Sequence, residues 1–445
     1  MFLISSFAFC QEKSILFNEI THHLESGNFR DNNIELFTEK KQIFKNKDKY
    51  LSLKIEKQKI NTIIENSDKF ISLSIPISET ENKIVYLKKR QLLQDNFNLV
   101  IETSKGAIEK PMPKYVAYTG IVADDNENSI VALTFVNNTM RGIISIGSNE
   151  YTIAPEKDID GEIEYLIYEK SDIEQRSNDF SCGTKDENFI SNEIQNRNSS
   201  QSIIPKCVNV HFEIEGLLNI NWGGIEQSIS KFLVRFNIVQ TIYSNDGITL
   251  RTSYLKIWNN DSFPYLEGND LGLSSFSTMN PINGNIAFFF IDFHNTPGVA
   301  GIAYLGGNYG VAGYQSVDTP QGFPIYASSA NTIAHELGHN LGSHHTHWCG
   351  WPGGAIDNCY ATEGGCPSGS TPSNGGTIMS YCHTTTSGVN FNNGFGNLPK
   401  NAILNFINSS SNFTSCDEQI TCLDNIVNAT NVTNITNNTF TINWS

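Results

Sequence analysis

The chain has 445 residues, 39% of them hydrophobic and 17% charged, with a mean hydropathy of -0.27 and a formal net charge of -16. That length suffices for two or three domains with cores of their own, and no apolar run is long enough to cross a bilayer as a helix. The excess of acid argues against nucleic acid as a partner, because phosphate binding needs clustered Lys and Arg.

Residues 1–10, MFLISSFAFC, form a short apolar run ending in small residues, Ala8 and Cys10, and read as the end of a secretory signal without its usual basic start. A lipid anchor on Cys10 is the weaker reading, since Phe9 stands where a small residue is expected. Residues 11–203 are rich in Lys, Glu, Asn and Ile, with alternating stretches at Lys69 to Ile77 and Ile130 to Phe135 that predict strands. This is a β-rich leader. From Asp172 to Pro205 the chain turns polar and aperiodic, as an exposed, cleavable linker does.

Charge is unevenly carried: residues 204–416 hold 6 of the 30 Lys+Arg and 12 of the 46 Asp+Glu, which marks a second domain. Val208 to Ile214 alternates as a strand. Ile225, Ile229, Phe232, Leu233, Phe236, Val239 and Tyr243 recur at helical spacing. Ile248 to Trp258 and the continuous run Ile286 to Ile291 predict further strands, the latter buried on both faces. Ser328 to Leu341 predicts a second long helix, and Gly350 to Gly376 a loop too polar for the core. Residues 417–445 read as a linker followed by either the first two strands of a fibronectin type III-like module or a disordered tail.

Six of the nine cysteines lie between Cys349 and Cys422, and none shows Cys-x-x-Cys spacing, so disulfides and an oxidising, extracellular destination are expected. Cell-surface attachment through later modules is a variant of that expectation.

His335-Glu336-Leu337-Gly338-His339 sets two imidazoles one helical turn apart, where both reach one metal ion. Three residues after His339 comes Gly342, and three further His345, which completes H-E-x-x-H-x-x-G-x-x-H. Gly342 permits the positive φ that turns His345 back towards the same metal. Neutral imidazoles favour one Zn2+ with a fourth position open to water. Glu336 stands where it can take a proton from a water acidified to pKa about 7 and pass it to the leaving amine. His344, off this spacing, reads as a solvated or packing residue.

In these motifs the chain resembles the metzincin zinc metalloproteases, whose second mark, the Met-turn, is matched by Thr377-Ile378-Met379-Ser380-Tyr381. The resemblance implies that Met379 is an apolar floor beneath the three histidines. Tyr381 either approaches the zinc, as a possible fifth ligand, or packs in the S1′ wall. Over residues 204–416 the order of elements is most similar to the reprolysin or adamalysin branch, although Thr346 stands where that branch has Asp. The resemblance implies an α/β catalytic domain with a mixed five-stranded sheet and a long zinc-binding helix. It also implies an edge strand at Ala300, Gly301, Ile302, Ala303 and Tyr304 that binds an extended peptide by strand addition. The wall opposite is expected from His383 to Phe395. Phe180-Ser181-Cys182-Gly183-Thr184-Lys185-Asp186 resembles the cysteine switch of matrixin precursors, so Cys182 is either a thiolate latch on the zinc or a disulfide partner. The pairings expected among the rest are Cys349 with Cys382, Cys359 with Cys366 and Cys207 with Cys416.

Together these readings give a secreted zinc metalloendopeptidase made as a zymogen, with residues 11–203 as prodomain and inhibitor, cleavage between Asn188 and Lys206, and protein or peptide substrates. The alternative is a non-catalytic, zinc-containing adhesion module. A metallo-exopeptidase would need a charged residue to hold a substrate terminus, and none is identifiable. The sequence leaves calcium binding undecided.

Overall fold

The computed structural model describes residues 14–29, 33–159, 162–173, 181–185, 206–259, 270–279, 282–292, 299–314, 324–416, 429–433 and 441–444. The signal reading at residues 1–10, the cleavage region 186–205, and Cys422 all lie outside these. Among the described residues no helix is long and apolar enough to cross a membrane.

The N-terminal region is β-rich, as its alternation predicts: a barrel-like sheet of ten strands whose expected members appear as Phe70–Pro76 and Ser129–Val136. Its strands pair antiparallel except Ile34–Glu35, which runs parallel to Phe70–Pro76. One face packs around Leu51, Leu53, Leu73, Leu87, Leu133 and Phe135 with the helix Lys57–Asn66. That helix escapes a reading based on hydrophobic runs because only Ile60 and Ile63 of it are buried.

Residues 206–314 contribute five strands, Cys207–Ile214, Thr249–Trp258, Ile286–Asp292, Val299–Ala303 and Tyr309–Tyr314, the first four close to the predicted stretches and the last not foreseen. The sheet is mixed, because Val299–Ala303 alone of these runs antiparallel to its neighbour. It is wider than the five strands expected. The N-terminal region adds Leu93–Thr103 and Gly106–Lys110 beside Thr249–Trp258, and Ser181–Cys182 beside Val299–Ala303, to make eight. The physical reason is that both edges of the five-stranded sheet offer unpaired backbone groups, and the chain covers them itself.

The helix Ile225–Asn245 lies between the two sheets and is buried along nearly its whole circumference. Its polar positions therefore bond to protein. Asn237 Nδ2 donates to the carbonyls of Tyr118 (3.1 Å) and Leu133 (3.0 Å), and Gln240 Nε2 to those of Gln91 and Leu250 (both 2.8 Å). One core cluster runs through both regions, joining Leu99, Ile121 and Ile143 to Phe212, Phe236 and Leu337.

Of the expected disulfides, Cys207–Cys416 forms, whereas Cys349 pairs with Cys366 and Cys359 with Cys382. The exchange follows from the loop. Gly364 and Gly365, at φ +110° and +77°, turn the chain so that Cys366 returns to Cys349, while Cys359 faces the segment after the Met-turn position. Cys182 is the free cysteine of the described residues. Ala429–Thr433 and Thr441–Trp444 form an antiparallel pair.

Candidate metal centre and peptide cleft

The helix Tyr326–Asn340 carries His335, Glu336 and His339, all fully buried. It ends at Leu341, and Gly342 adopts φ +84°. The amides of Gly342 and Ser343 donate back to the carbonyls of His339 and Gly338, both at 2.9 Å, and this closing turn reverses the chain and brings His345 to the helix. His339 Nε2 then lies 3.2 Å from His335 Nε2 and 3.1 Å from His345 Nε2.

Those short separations follow from the opposite side of each ring. Nδ1 of His335 faces the Ile378 carbonyl at 2.8 Å and Nδ1 of His339 the Ser343 carbonyl at 2.8 Å. A carbonyl only accepts, so both Nδ1 atoms carry the proton and both Nε2 atoms present lone pairs. His345 Nδ1 faces Glu363 Oε2 at 3.2 Å, again an acceptor. Burial, then the neighbouring His339 and His345, hold the His335 pKa well below the usual histidine value, which keeps that ring neutral. Three lone pairs cannot hydrogen-bond to one another, whereas a cation satisfies all three. Two nitrogens each about 2.05 Å from a tetrahedral zinc are roughly 3.3 Å apart, close to the separations found. The donor set fits such an ion.

Cys182 completes the cluster, with its Sγ and the three histidine nitrogens all within 4.8 Å of one another. Its thiol approaches Glu336 Oε2 at 3.4 Å and accepts from the Thr184 amide at 3.3 Å. Burial, then the Glu336 charge, push this thiol up to about 12, and burial pushes Glu336 up to about 8. A divalent cation at the imidazoles works against both shifts, because its charge favours thiolate and carboxylate. Glu336 Oε1 has no hydrogen-bond partner among the described residues.

The segment Ser181 to Thr184 lies along Val299–Ala303. The Gly183 amide donates to the Gly301 carbonyl at 2.8 Å, and the Thr184 hydroxyl donates to the Ala303 carbonyl and accepts from its amide, both at 3.0 Å. Gly301 belongs there for want of space: a Cβ on it would stand 2.6 Å from Glu336 Cγ and 2.7 Å from Oε1. Ala300 and Ile302 are half-buried on the same strand, and Tyr304, just past its end, is exposed.

Met379 is fully buried under the helix, where a Cβ on Gly338 would meet its Sδ at 2.6 Å. Its carbonyl accepts from the Thr346 amide at 3.1 Å. The Tyr381 hydroxyl accepts from the Cys182 amide at 2.9 Å, so in this arrangement it holds the backbone of the cysteine segment. Burial raises the Tyr381 pKa well above the usual phenol value, which keeps the hydroxyl protonated. His344 packs flat on Trp348 at 3.6 Å, the packing half of its expected roles.

Spacing alone does not reveal Glu363 or Thr184. Glu363 is one of only two acidic residues between Gly350 and Gly376, which is the one sign it leaves in the sequence. Thr184 leaves none.

Among solved structures, one described as "Structure of a chaperone-substrate complex" matches at 16% sequence identity over 46% of this chain and 35% of that chain, with a TM-score of 0.27. The chain thus spans about a third of that structure, and a likeness this small carries no argument. The family model described as Metallo-peptidase family M12 (Reprolysin_5) matches residues 206–392, which include the three histidines, Glu336, Met379 and Tyr381. Over residues 206–392 the chain is thus similar to metallo-peptidase family M12.

Proposed function

We propose that the chain is the latent form of a secreted, zinc-dependent endopeptidase. The observation that carries this reading is the convergence of three unprotonated Nε2 atoms beside a buried carboxylate, Glu336, that has one oxygen unpartnered among the described residues. His335, His339 and His345 hold the ion. When bound, zinc polarises a scissile carbonyl and acidifies water.

Glu336 takes the proton of the attacking water and returns it to the departing amine, and burial keeps its carboxyl in a range where both transfers occur near neutral pH. The Gly301 carbonyl and the Ala303 amide and carbonyl are the groups an extended substrate needs for strand addition. They are the groups now taken by Gly183 and Thr184. Cys182 stands where a fourth ligand belongs, and Tyr381 anchors its amide. Latency therefore has two parts, a thiol on the ion and a borrowed strand on the cleft. Cleavage in residues 186–205 lets both leave. Three disulfides in the described chain support an extracellular setting.

The test is Glu336→Gln in the matured protein, assayed on unfolded casein with and without chelator. The expected result is loss of cleavage with zinc still bound at one equivalent. Parent-like, chelator-insensitive behaviour overturns the mechanism, and a parent that binds zinc but never cleaves points to the adhesion-module alternative.

A further inference from the structure

The three histidines are not supported alike. Two of them give their Nδ1 proton to a neutral backbone carbonyl, and His345 alone faces a carboxylate, Glu363. We infer that Glu363 is a positioning residue for the metal, acting through His345: it fixes the imidazole in the tautomer that exposes Nε2 and supplies a negative charge to the site without taking a coordination position. This inference rests on the proposed reading of the three histidines as zinc ligands.

Glu363 is held as a group with that task must be. Its amide donates to the His347 carbonyl at 3.0 Å and its carbonyl accepts from the Cys349 amide at 2.9 Å, so its backbone is fixed on both sides. Three residues on, Cys366 is bonded to Cys349, and the Thr362 hydroxyl donates to the Cys366 carbonyl at 2.9 Å, which closes the loop from which the carboxylate projects. Oε2 lies 3.2 Å from His345 Nδ1 and Oε1 lies 3.5 Å from His347 Nε2. The His347 ring stacks on His345 with 4.8 Å between centroids and 9° between planes, so one carboxylate spans two parallel imidazoles. His345 is fully buried and the Glu363 side chain is 21% exposed, where solvent weakens the interaction only in part.

The chemistry favours this carboxylate over a passive ion pair. An acceptor with full negative charge draws on the Nδ1 proton more strongly than a carbonyl does and so makes Nε2 a better donor to a cation. His345 also has more need of it. His335 and His339 are held by the helix Tyr326–Asn340, whereas His345 follows the turn at Gly342 and must be oriented from elsewhere.

The experiment measures zinc dissociation constants by chelator competition on the full chain, as parent, Glu363→Gln, Glu363→Asp and Thr362→Val, with the three disulfides verified by mass under non-reducing conditions. Glu363→Gln is expected to weaken zinc on the order of 10- to 100-fold. Glu363→Asp is expected to recover part of that loss, and Thr362→Val, which perturbs the same loop but keeps the carboxylate, to stay within about twofold of the parent. Parent-like affinity in Glu363→Gln overturns the inference, as does an equal loss in Thr362→Val. A parent that holds no zinc sinks the underlying reading instead, so the two failures are distinguishable. Should Glu363→Gln not fold, nitrogen NMR of the parent decides: the Nδ1 proton of His345 is expected further downfield than those of His335 and His339, and the reverse order overturns the inference.

Discussion

The two large regions of this molecule are held together by different means. The N-terminal sheet relies on apolar packing, with Leu53, Leu87 and Leu133 on one face and, in its central strands, Ile121, Ile130 and Ile143 on the other, and its described residues form no disulfide. The region from Lys206 to Cys416 carries three disulfides and buries many more polar groups, His335, Glu336, His339, Asn340, Ser343 and His345 among them. The difference is one of task. A sheet that only covers can be built from hydrophobic pattern. A site of converging polar atoms needs covalent ties and directed hydrogen bonds to offset the cost of burying them.

The comparison also shows that the regions are not separable bodies. Leu93–Thr103 is a strand of the second sheet, and from the helix Ile225–Asn245 the Asn237 and Gln240 side-chain amides donate to N-terminal carbonyls. The largest expected effect follows: a protease cut between residues 186 and 205 should leave both pieces in one complex. Native mass spectrometry of the nicked protein checks this, and two freely separating species would break the picture of a shared core.

Removing the Cys207–Cys416 bond by a double change to Ala is expected next in size. It ties together positions 209 residues apart, and losing such a tie typically costs about 2–5 kcal/mol. The effect should fall on the Lys206–Cys416 region, read as an earlier transition in Trp fluorescence, since the four Trp whose side chains are described, Trp222, Trp258, Trp348 and Trp351, sit in that part of the chain. An unchanged midpoint would show that the sheets, not the covalent tie, hold that region.

Gly301→Ala probes the cleft without touching a proposed metal ligand. Its Cβ collides with Glu336, and displacing the proposed proton carrier by about 1 Å is expected to cost on the order of 100-fold in turnover. Zinc content and melting temperature should stay near the parent's. Full turnover would mean that Glu336 has room the packing does not suggest.

The smallest effect concerns Asp246, whose carboxylate accepts from the Phe395 amide at 2.7 Å and whose pKa is raised by burial to about 6. A pKa raised on folding gives stability that is complete below about 3.8 and lost as pH rises through about 6. Between pH 4 and 6 the parent should therefore lose on the order of 1–3 kcal/mol that Asp246→Asn does not lose. Denaturation midpoints at the two pH values measure it, and parallel curves would remove Asp246 from the account.

How much was legible in the sequence differs between the regions too. The strands at Phe70–Pro76, Cys207–Ile214 and Ile286–Asp292 could be read from periodicity, because a half-buried or buried strand writes its burial into alternate or consecutive positions. The helix Ile15–Glu25 was not read, since its few buried residues, Leu16, Phe17 and Ile20, give no long pattern. Width of the second sheet was not legible either: Leu93–Thr103 lies more than a hundred residues from its partner Thr249–Trp258, and pairing at that distance leaves no local mark.

By itself the sequence determined the spacing of His335, His339 and His345 and the glycine at the turn between them, because these obey short-range rules of helix pitch and backbone freedom, whereas the segment around Cys182 was legible only through its resemblance to a cysteine switch. Tertiary structure alone decided which cysteines pair, that Gly301 must be small because Glu336 lies against it, that Thr184 stands in for a strand, and that Glu363 meets His345. Each of these joins residues whose contact is set by where loops return in space, and proximity made by folding has no period in the chain for a reader to find.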